Sequence, residues 1–526
     1  MTGQLHGLPL DRAPGAPPLY AQIRDGVRSA VLTGALAPGM RLPPERELAA
    51  SLGVNRTTTM RAYRELAADG VVEARPGRGT VVCPSPPPAV VERRATDGLG
   101  VRRPERALFA AWLLGLRAVG QGLGSDPGLL RDIMALGTRA DVISFAGGMP
   151  AGEVIPFEEV QAALTHALAR AGAGGLAYGP VEGLASLRSA IAARMTRRGA
   201  AVAADEVMVL AGATQGLALA AQALVEPGDE VVVEAPTYVG IGQTFGAAGA
   251  RLIGVPVDEG GLRVDTLAAV LARRRVRLIV VQPTLHNPTG ATMPLARRER
   301  LIALARRHGV PILEDAPYAE LWANGLEPPP LKALDRDGLV LHLGSFSKTL
   351  APGLRVGWLA GPAPAITRLA LAKQFSDLTT GALSQLAVER LLESGAYDRH
   401  LARVRALYEA RRAAMAAGLR GVETLLEVSP DPGGGFYLWC RLRRGRGRLL
   451  AAEASKVGVA LLPGEAFYPA LTVGGEDGGD RIRLSVAGVG LAAIAEGLGR
   501  LLPLLKKLPE VGHILEGRSE GLRPVV

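Results

Sequence analysis

From about residue 141 onward, short apolar runs at 207–210, 230–233, 278–281, 310–313 and 339–343 alternate with Ala- and Arg-rich stretches of helical character. Runs this short and this continuous are strands buried on both faces. Their alternation with helices predicts a largely parallel sheet covered on both sides. The chain can supply such a core: 48% of its 526 residues are hydrophobic and 21% charged, which excludes a disordered polymer. Its 67 Gly and 38 Pro follow no fixed period, which excludes a fibre.

The chain ahead of this region has a different rhythm. Helical spacing runs over 19–34, 44–52 and 55–69, and two short β-like segments, 71–75 and 80–82, flank Pro76-Gly77-Arg78-Gly79. Three helices and a hairpin make a winged helix-turn-helix. A Pro-rich, charged segment beginning CPSPPPAVVERRATDG follows and reads as a linker. The expected organisation is therefore a head over 1–82, a linker over 83–140, a body over 141–510 and a polar tail over 511–526.

Placement of charge on the head points to double-stranded DNA. Arg56, Thr57, Thr58 and Arg61 stand at the start of the third helix, where a recognition helix meets base edges in the major groove. Arg46 on the second helix and Arg78 at the hairpin tip suit phosphate, and Gly77 lets the backbone approach a groove. A solvated helix face explains any single arginine equally well. The strings RLPPEREL, LGVNRTT and RPGRGT together resemble the GntR family over residues 18–82, with Pro44 and Asn55 where Ser is usual. That resemblance implies DNA contact by Arg46, Arg56, Thr57, Thr58 and Gly77.

In the body, Lys is scarce. It occurs six times (Lys332, Lys348, Lys373, Lys456, Lys506 and Lys507), and only Lys348 stands in a frame suited to chemistry. Ser345 and Ser347 flank it, and Arg355 follows in a Gly-containing turn. An amine so placed can trap a carbonyl, while Ser345 and Arg355 converge on a phosphate. Upstream, 207–210 leads into Gly212-Ala213-Thr214 and a helix N-terminus, whose free N–H groups also suit phosphate. Tyr238, Asn287 and the pair Asp315 and Tyr318 each follow a buried strand. Asp315 fits a helix cap as well as a ligand at a strand end. His286, without a metal partner at useful spacing, reads as structural.

Taken in order, these residues resemble the fold-type I pyridoxal-phosphate (PLP) enzymes of the aspartate aminotransferase type, over about 141–505. The resemblance implies that Lys348 forms a Schiff base with PLP and that Asp315 pairs with the pyridine nitrogen. It further implies that Tyr318 and Asn287 bond the ring phenolate oxygen and that Tyr238 stacks on the ring. Ala213, Thr214, Ser345 and Arg355 would hold the phosphate, with Ser347 nearby. Arg483 would receive a substrate or effector carboxylate, with Arg481 as competitor. Tyr178 matches a phosphate tyrosine supplied by a partner subunit, which implies a homodimer.

A GntR-like head on such a body is similar to the MocR group of bacterial regulators. The resemblance implies a head-to-tail dimer that binds DNA in response to PLP or an amino compound and controls vitamin B6 or amino-acid metabolism. The alternatives are a working aminotransferase with an accessory head, and a DNA-binding module whose body only dimerises. Two cysteines, Cys83 and Cys440, make no disulfide framework or Cys-based zinc site. The first residues carry no basic head and apolar run of a signal peptide, and no apolar stretch reaches membrane-span length. The expected location is the cytoplasm. A formal charge of +10 is small against the total number of charged groups and does not name nucleic acid by itself.

Overall fold

A computed structural model describes residues 8, 10–12, 17–32, 36, 39–75, 79–83, 139 and 141–508. These fall into two units, the head and the body. Gly77 and Arg78, the linker residues 84–138 and the tail over 511–526 lie outside the described residues.

The head contains α1 (Leu19–Leu32), α2 (Glu45–Leu52) and α3 (Arg56–Ala68), then β1 (Val72–Arg75) paired antiparallel with β2 (Gly79–Val82). Sequence spacing located each to within two residues, because each has a local stop or start. Gly53 ends α2 in the left-handed region at φ 60°, and its N–H turns back to Ala49 and Ala50. Asn55 starts α3: its Oδ1 accepts from the Thr57 N–H at 2.9 Å. The apolar stripes then meet in one core of Ile23, Val27, Leu48, Ala62, Leu66, Val72 and Val82. Tyr63 of α3 donates its hydroxyl to Pro43 O at 2.9 Å, which ties α3 to the segment entering α2.

The body opens with β3 (Ile143–Ser144) and builds one large sheet from β4 (Val207–Leu210), β5 (Glu230–Ala235), β6 (Arg251–Asp258), β7 (Gly261–Leu262), β8 (Val276–Val281), β9 (Ile312–Asp315), β10 (Val340–Ser345) and β11 (Gly357–Ala360). The order across it is β4-β11-β10-β9-β8-β5-β6-β7. Strands β4, β10, β9, β8, β5 and β6 share one direction, as the apolar runs predict. The exception inside the sheet is β11, antiparallel to both neighbours. Its cause is the connection 346–356, a loop with one 3-10 turn at Pro352–Leu354 instead of a helical crossover, which sends the chain back beside β10.

A smaller antiparallel sheet follows, formed by β12 (Leu426–Val428), β13 (Tyr437–Leu442), β15 (Leu462–Pro463) and β16 (Arg481–Ser485) in the order β12-β13-β16-β15. Strand β14 (Val459–Ala460) pairs with β3 and ties the start of the body to this part. Strands β12, β14 and β15 have only two or three residues each, too few for their pattern to be told from loop in the sequence.

The parallel strands end on the same edge of the sheet, and the loops that leave β4, β5, β8, β9 and β10 converge there. Gly357 sets how closely they approach. A Cβ on it would lie 2.9 Å from Gly344 O and 3.0 Å from the Ala213 N–H nitrogen, both backbone atoms that cannot swing aside. Gly357→Ala is therefore expected to destabilise the body by about 1–3 kcal/mol, read as a lower midpoint of its thermal unfolding.

Candidate cofactor pocket and DNA-contact face

At the convergent strand ends lies a pocket of about 380 Å³. It is lined by Ala213, Thr214, Tyr238, Asn287, Asp315, Tyr318, Ser345, Ser347, Lys348, Arg355 and Arg483, together with Gln282 and Tyr437. Of the residues expected at this site from sequence, Tyr178 alone does not line it; its side chain is 82% exposed.

One end of the pocket suits a phosphate. The helix Ala213–Leu224 begins there with no acidic residue in its first turn, so its N–H groups and dipole favour an anion. Gly212 precedes it at φ 104°, and a Cβ there would meet Arg355 Nη2 at 2.7 Å. The absent side chain is what lets the guanidinium lie against this turn. Arg355 anchors itself by donating to Ala211 O at 2.6 Å and more loosely to Ser347 Oγ at 3.4 Å. Ser345 Oγ accepts from the Ser347 N–H at 3.1 Å, which leaves its proton available to the pocket.

The middle is set by burial. Asp315, the last residue of β9, is 2% exposed; one oxygen, Oδ2, accepts from Gln282 Nε2 at 2.6 Å. Its other oxygen, Oδ1, is buried and has no hydrogen-bond partner among the described residues. Burial, with Glu234 adding to it, pushes the Asp315 carboxyl up to about 7, against the opposing bond from Gln282. Gln282 also accepts, through Oε1, from the Asn287 N–H at 3.0 Å, so one amide holds both the acid and the asparagine in place. Behind them Glu234 Oε2 accepts from the Gln282 N–H at 2.7 Å and lies 3.3 Å from His286 Nε2. His286 is fully buried and its Nδ1 is 2.8 Å from Thr289 Oγ1, the structural role its sequence context suggests.

Lys348 donates to Gly148 O at 2.7 Å. Burial first, and then the positive charges of Arg483 and Arg355, lower its ammonium to about 8. A share of this amine is thus neutral, and nucleophilic, near neutral pH.

At the far end Arg483 of β16 is 4% exposed. It donates from Nη1 to Asn287 Oδ1 at 2.7 Å and from Nη2 to Ala146 O at 2.5 Å. Its Nε has no partner among the described residues, so donor capacity remains for a carboxylate. Arg481, the competitor, does not line the pocket and lies 3.4 Å from Asp480 Oδ1. Position along the strand decides between them: both lie on one face of β16, but Arg481 is its first, partly exposed residue, whereas Arg483 is buried in its middle.

On the head, Arg41, Arg46 and Arg56 share a recess of about 360 Å³ with Gly79 and Thr80 from the hairpin. Arg56 Nη2 is 3.8 Å from Glu45 Oε2, a loose pairing that leaves it free to turn to DNA. The Thr57 hydroxyl is engaged in the helix cap, 2.9 Å from Asn55 Oδ1. Thr58 is half-buried, its N–H bonded to Asn55 O at 2.9 Å. Arg61 stands apart from this recess: its guanidinium lies 3.7 Å over the Tyr20 ring, with Glu65 Oε1 at 3.3 Å. Arg41 was not singled out in the sequence, since a lone arginine before a Pro pair carries no signal until the hairpin folds against it.

The family patterns match both units: "Bacterial regulatory proteins, gntR family" over residues 19–82 and "Aminotransferase class I and II" over 140–501. A solved structure of LysN, an alpha-aminoadipate aminotransferase from Thermus thermophilus, superimposes with a TM-score of 0.68 at 34% identity. It covers 75% of this chain and 98% of its own. That protein is complexed with N-(5'-phosphopyridoxyl)-L-leucine. The regulator TauR of Rhodobacter capsulatus is 33% identical over 494 residues, 93% of this chain and 96% of TauR. The probable rhizopine catabolism regulatory protein MocR of Rhizobium meliloti is 31% identical over 75% of this chain and 76% of its own length. A match that runs through head and body alike decides the matter. The chain belongs to the MocR-type transcription regulators, a GntR winged helix joined to a fold-type I aminotransferase domain.

MocR-type bodies carry PLP as cofactor, and the pocket fits it: an orphaned buried carboxylate oxygen for a pyridine N–H, an anion cradle at the helix terminus, and the Lys348 amine in the same pocket. Among the described residues no helix is long and apolar enough to cross a membrane.

The raised Asp315 carboxyl fixes the sign of a pH effect in the cofactor-free protein. Folded, it holds its proton up to about 7; unfolded, it releases it near the ordinary 3.8. The folded state therefore binds more protons between these values, and its stability falls as pH rises through them. Asp315→Asn removes that loss while preserving an acceptor for Gln282. It is expected to stabilise the cofactor-free body by roughly 2–4 kcal/mol at alkaline pH, a gain that shrinks to nothing in acid, read by thermal unfolding across pH.

Proposed function

We propose that this chain is a cytoplasmic, dimeric regulator whose body senses an α-amino compound through PLP and whose head carries that state to double-stranded DNA. The observation that carries the effector class is Arg483. A buried guanidinium with unused donor capacity faces the same pocket as Lys348, and a carboxylate is the ligand that matches its fork. An α-amino acid presents a carboxylate to Arg483 and an amine toward Lys348. Genes of amino-acid or vitamin B6 metabolism are the natural targets of a regulator reading such a ligand.

When bound, the cofactor supplies an electron sink. The chain's own residues do the rest: Asp315 holds a proton at the ring nitrogen, Arg355 and the helix N-terminus anchor the phosphate, and Lys348 gives and takes the proton at its Nζ. Tyr178 is assigned to the partner subunit's phosphate cradle in a head-to-tail homodimer. Its exposure, and that of Phe157, Leu176 and Phe375 at 70%, 72% and 90%, support burial of these side chains by a second copy. Effector binding shifts DNA occupancy only so far as it favours one arrangement of the dimer over the other.

The lowered Lys348 also favours a second reading, a body that transaminates. The two separate on one assay: an amino-acid panel that converts the cofactor band, with an oxo acid reversing it, marks catalysis, and binding without conversion marks sensing.

Lys348→Ala is expected to abolish the visible absorbance of the PLP-loaded protein, and a band that survives refutes the lysine assignment. In mobility-shift titrations on the protein's own upstream region, Arg46→Ala should lower affinity on all sequences and reduce the salt slope by about 0.9. Arg56→Ala should cost about 1–3 kcal/mol on the operator and much less on unrelated DNA.

A further inference from the structure

Tyr437 lines the pocket, is 3% exposed, and has no role assigned to it so far. The register of the small sheet explains where it sits. Tyr437 of β13 lies opposite Ser485 of β16, and Trp439 lies opposite Arg483, so Tyr437 and Arg483 are diagonal neighbours on one face. The Arg483 guanidinium carbon is 4.2 Å from the centroid of the Tyr437 ring. The Tyr437 hydroxyl is 2.9 Å from that of Tyr318, with the two rings edge to face at 5.6 Å.

A tyrosine hydroxyl has one proton. If Tyr318 donated to Tyr437, its proton would point away from the cavity. Among the described residues the Tyr437 hydroxyl makes no other hydrogen bond, so donating to Tyr318 is its one way to place its own proton. It is also shut in: a Cβ on Gly148 would overlap it, and Gly148 is the residue whose carbonyl receives Lys348. Once Tyr437 donates, the Tyr318 oxygen is an acceptor and its proton is free for the pocket.

We propose that Tyr437 is a positioning residue with two separable parts. Its hydroxyl aims the Tyr318 proton at the phenolate oxygen of bound PLP, and its ring holds the Arg483 guanidinium flat for an effector carboxylate. This rests on the reading that the pocket takes PLP at Lys348 and a carboxylate at Arg483.

The test uses the full-length, PLP-loaded protein and isovalerate, a carboxylate with no amine to react. Tyr437→Phe removes only the hydroxyl. It is expected to move the visible absorbance toward longer wavelength, in the direction expected of Tyr318→Phe, while isovalerate affinity stays within about twofold of wild type. The double variant should match Tyr318→Phe alone, because the two hydroxyls act in series. Tyr437→Leu removes the ring as well and should weaken isovalerate by about tenfold. The proposal fails if Tyr437→Phe leaves the spectrum of wild type, if its effect persists in full on the Tyr318→Phe background, or if Tyr437→Leu binds isovalerate as wild type does. Thermal midpoints of the variants close to wild type separate these effects from unfolding. A wild-type protein that develops no visible band with PLP sinks the cofactor reading and this proposal together, whereas a normal band untouched by Tyr437→Phe sinks the proposal alone.

Discussion

The body is organised around a carboxylate that water cannot reach. Asp315 ends the central strand β9 inside the protein, and burying it is unfavourable unless something shares its charge. The chain supplies only a neutral amide, Gln282, to one oxygen and leaves the other without a partner among the described residues. That arrangement is a poor solution for stability and a good one for a cationic ring nitrogen. Most of the pocket follows from it: Gln282 is held by Glu234, and through Gln282 the acid is tied to Asn287, which in turn accepts from Arg483. Strain of this kind at a strand end marks a site built to be completed by a ligand.

The two units use arginine in opposite ways. In the body Arg355 and Arg483 are immobilised by backbone carbonyls and packed rings, so their forks have fixed directions. On the head Arg41, Arg46 and Arg56 line an open recess together with Glu45, which pairs loosely with Arg56 at 3.8 Å. A fork held in one direction selects one small anion; an exposed cluster suits a polymer of phosphates. The net charge describes neither behaviour.

Legibility varied with how local the cause was. The helices of the head could be read because Gly53 and Asn55 act on their own neighbours. Asp315, Ser345 and Lys348 could be read because each follows a recognisable strand. Gln282 had the same signal, one residue beyond the end of β8, but an amide there carries no chemistry until the acid it serves is brought beside it. Tyr437 and Arg41 gave none, since their neighbours lie far away in sequence.

Sequence alone marked the chemistry-bearing residues: one lysine between two serines, one acid at a strand end, one arginine in a later strand, and a helix-turn-helix ahead of them. These depend on residue type and on spacing within a few positions, which a linear chain states outright. Tertiary structure alone decided which of Arg481 and Arg483 faces the pocket, that Arg61 lies on Tyr20 outside the arginine recess, and that Tyr437 joins Tyr318 to the guanidinium. Those outcomes turn on how far along a strand a residue sits, on register and on which faces meet. A shift of one residue in register reverses every side chain, and no residue's own identity records it.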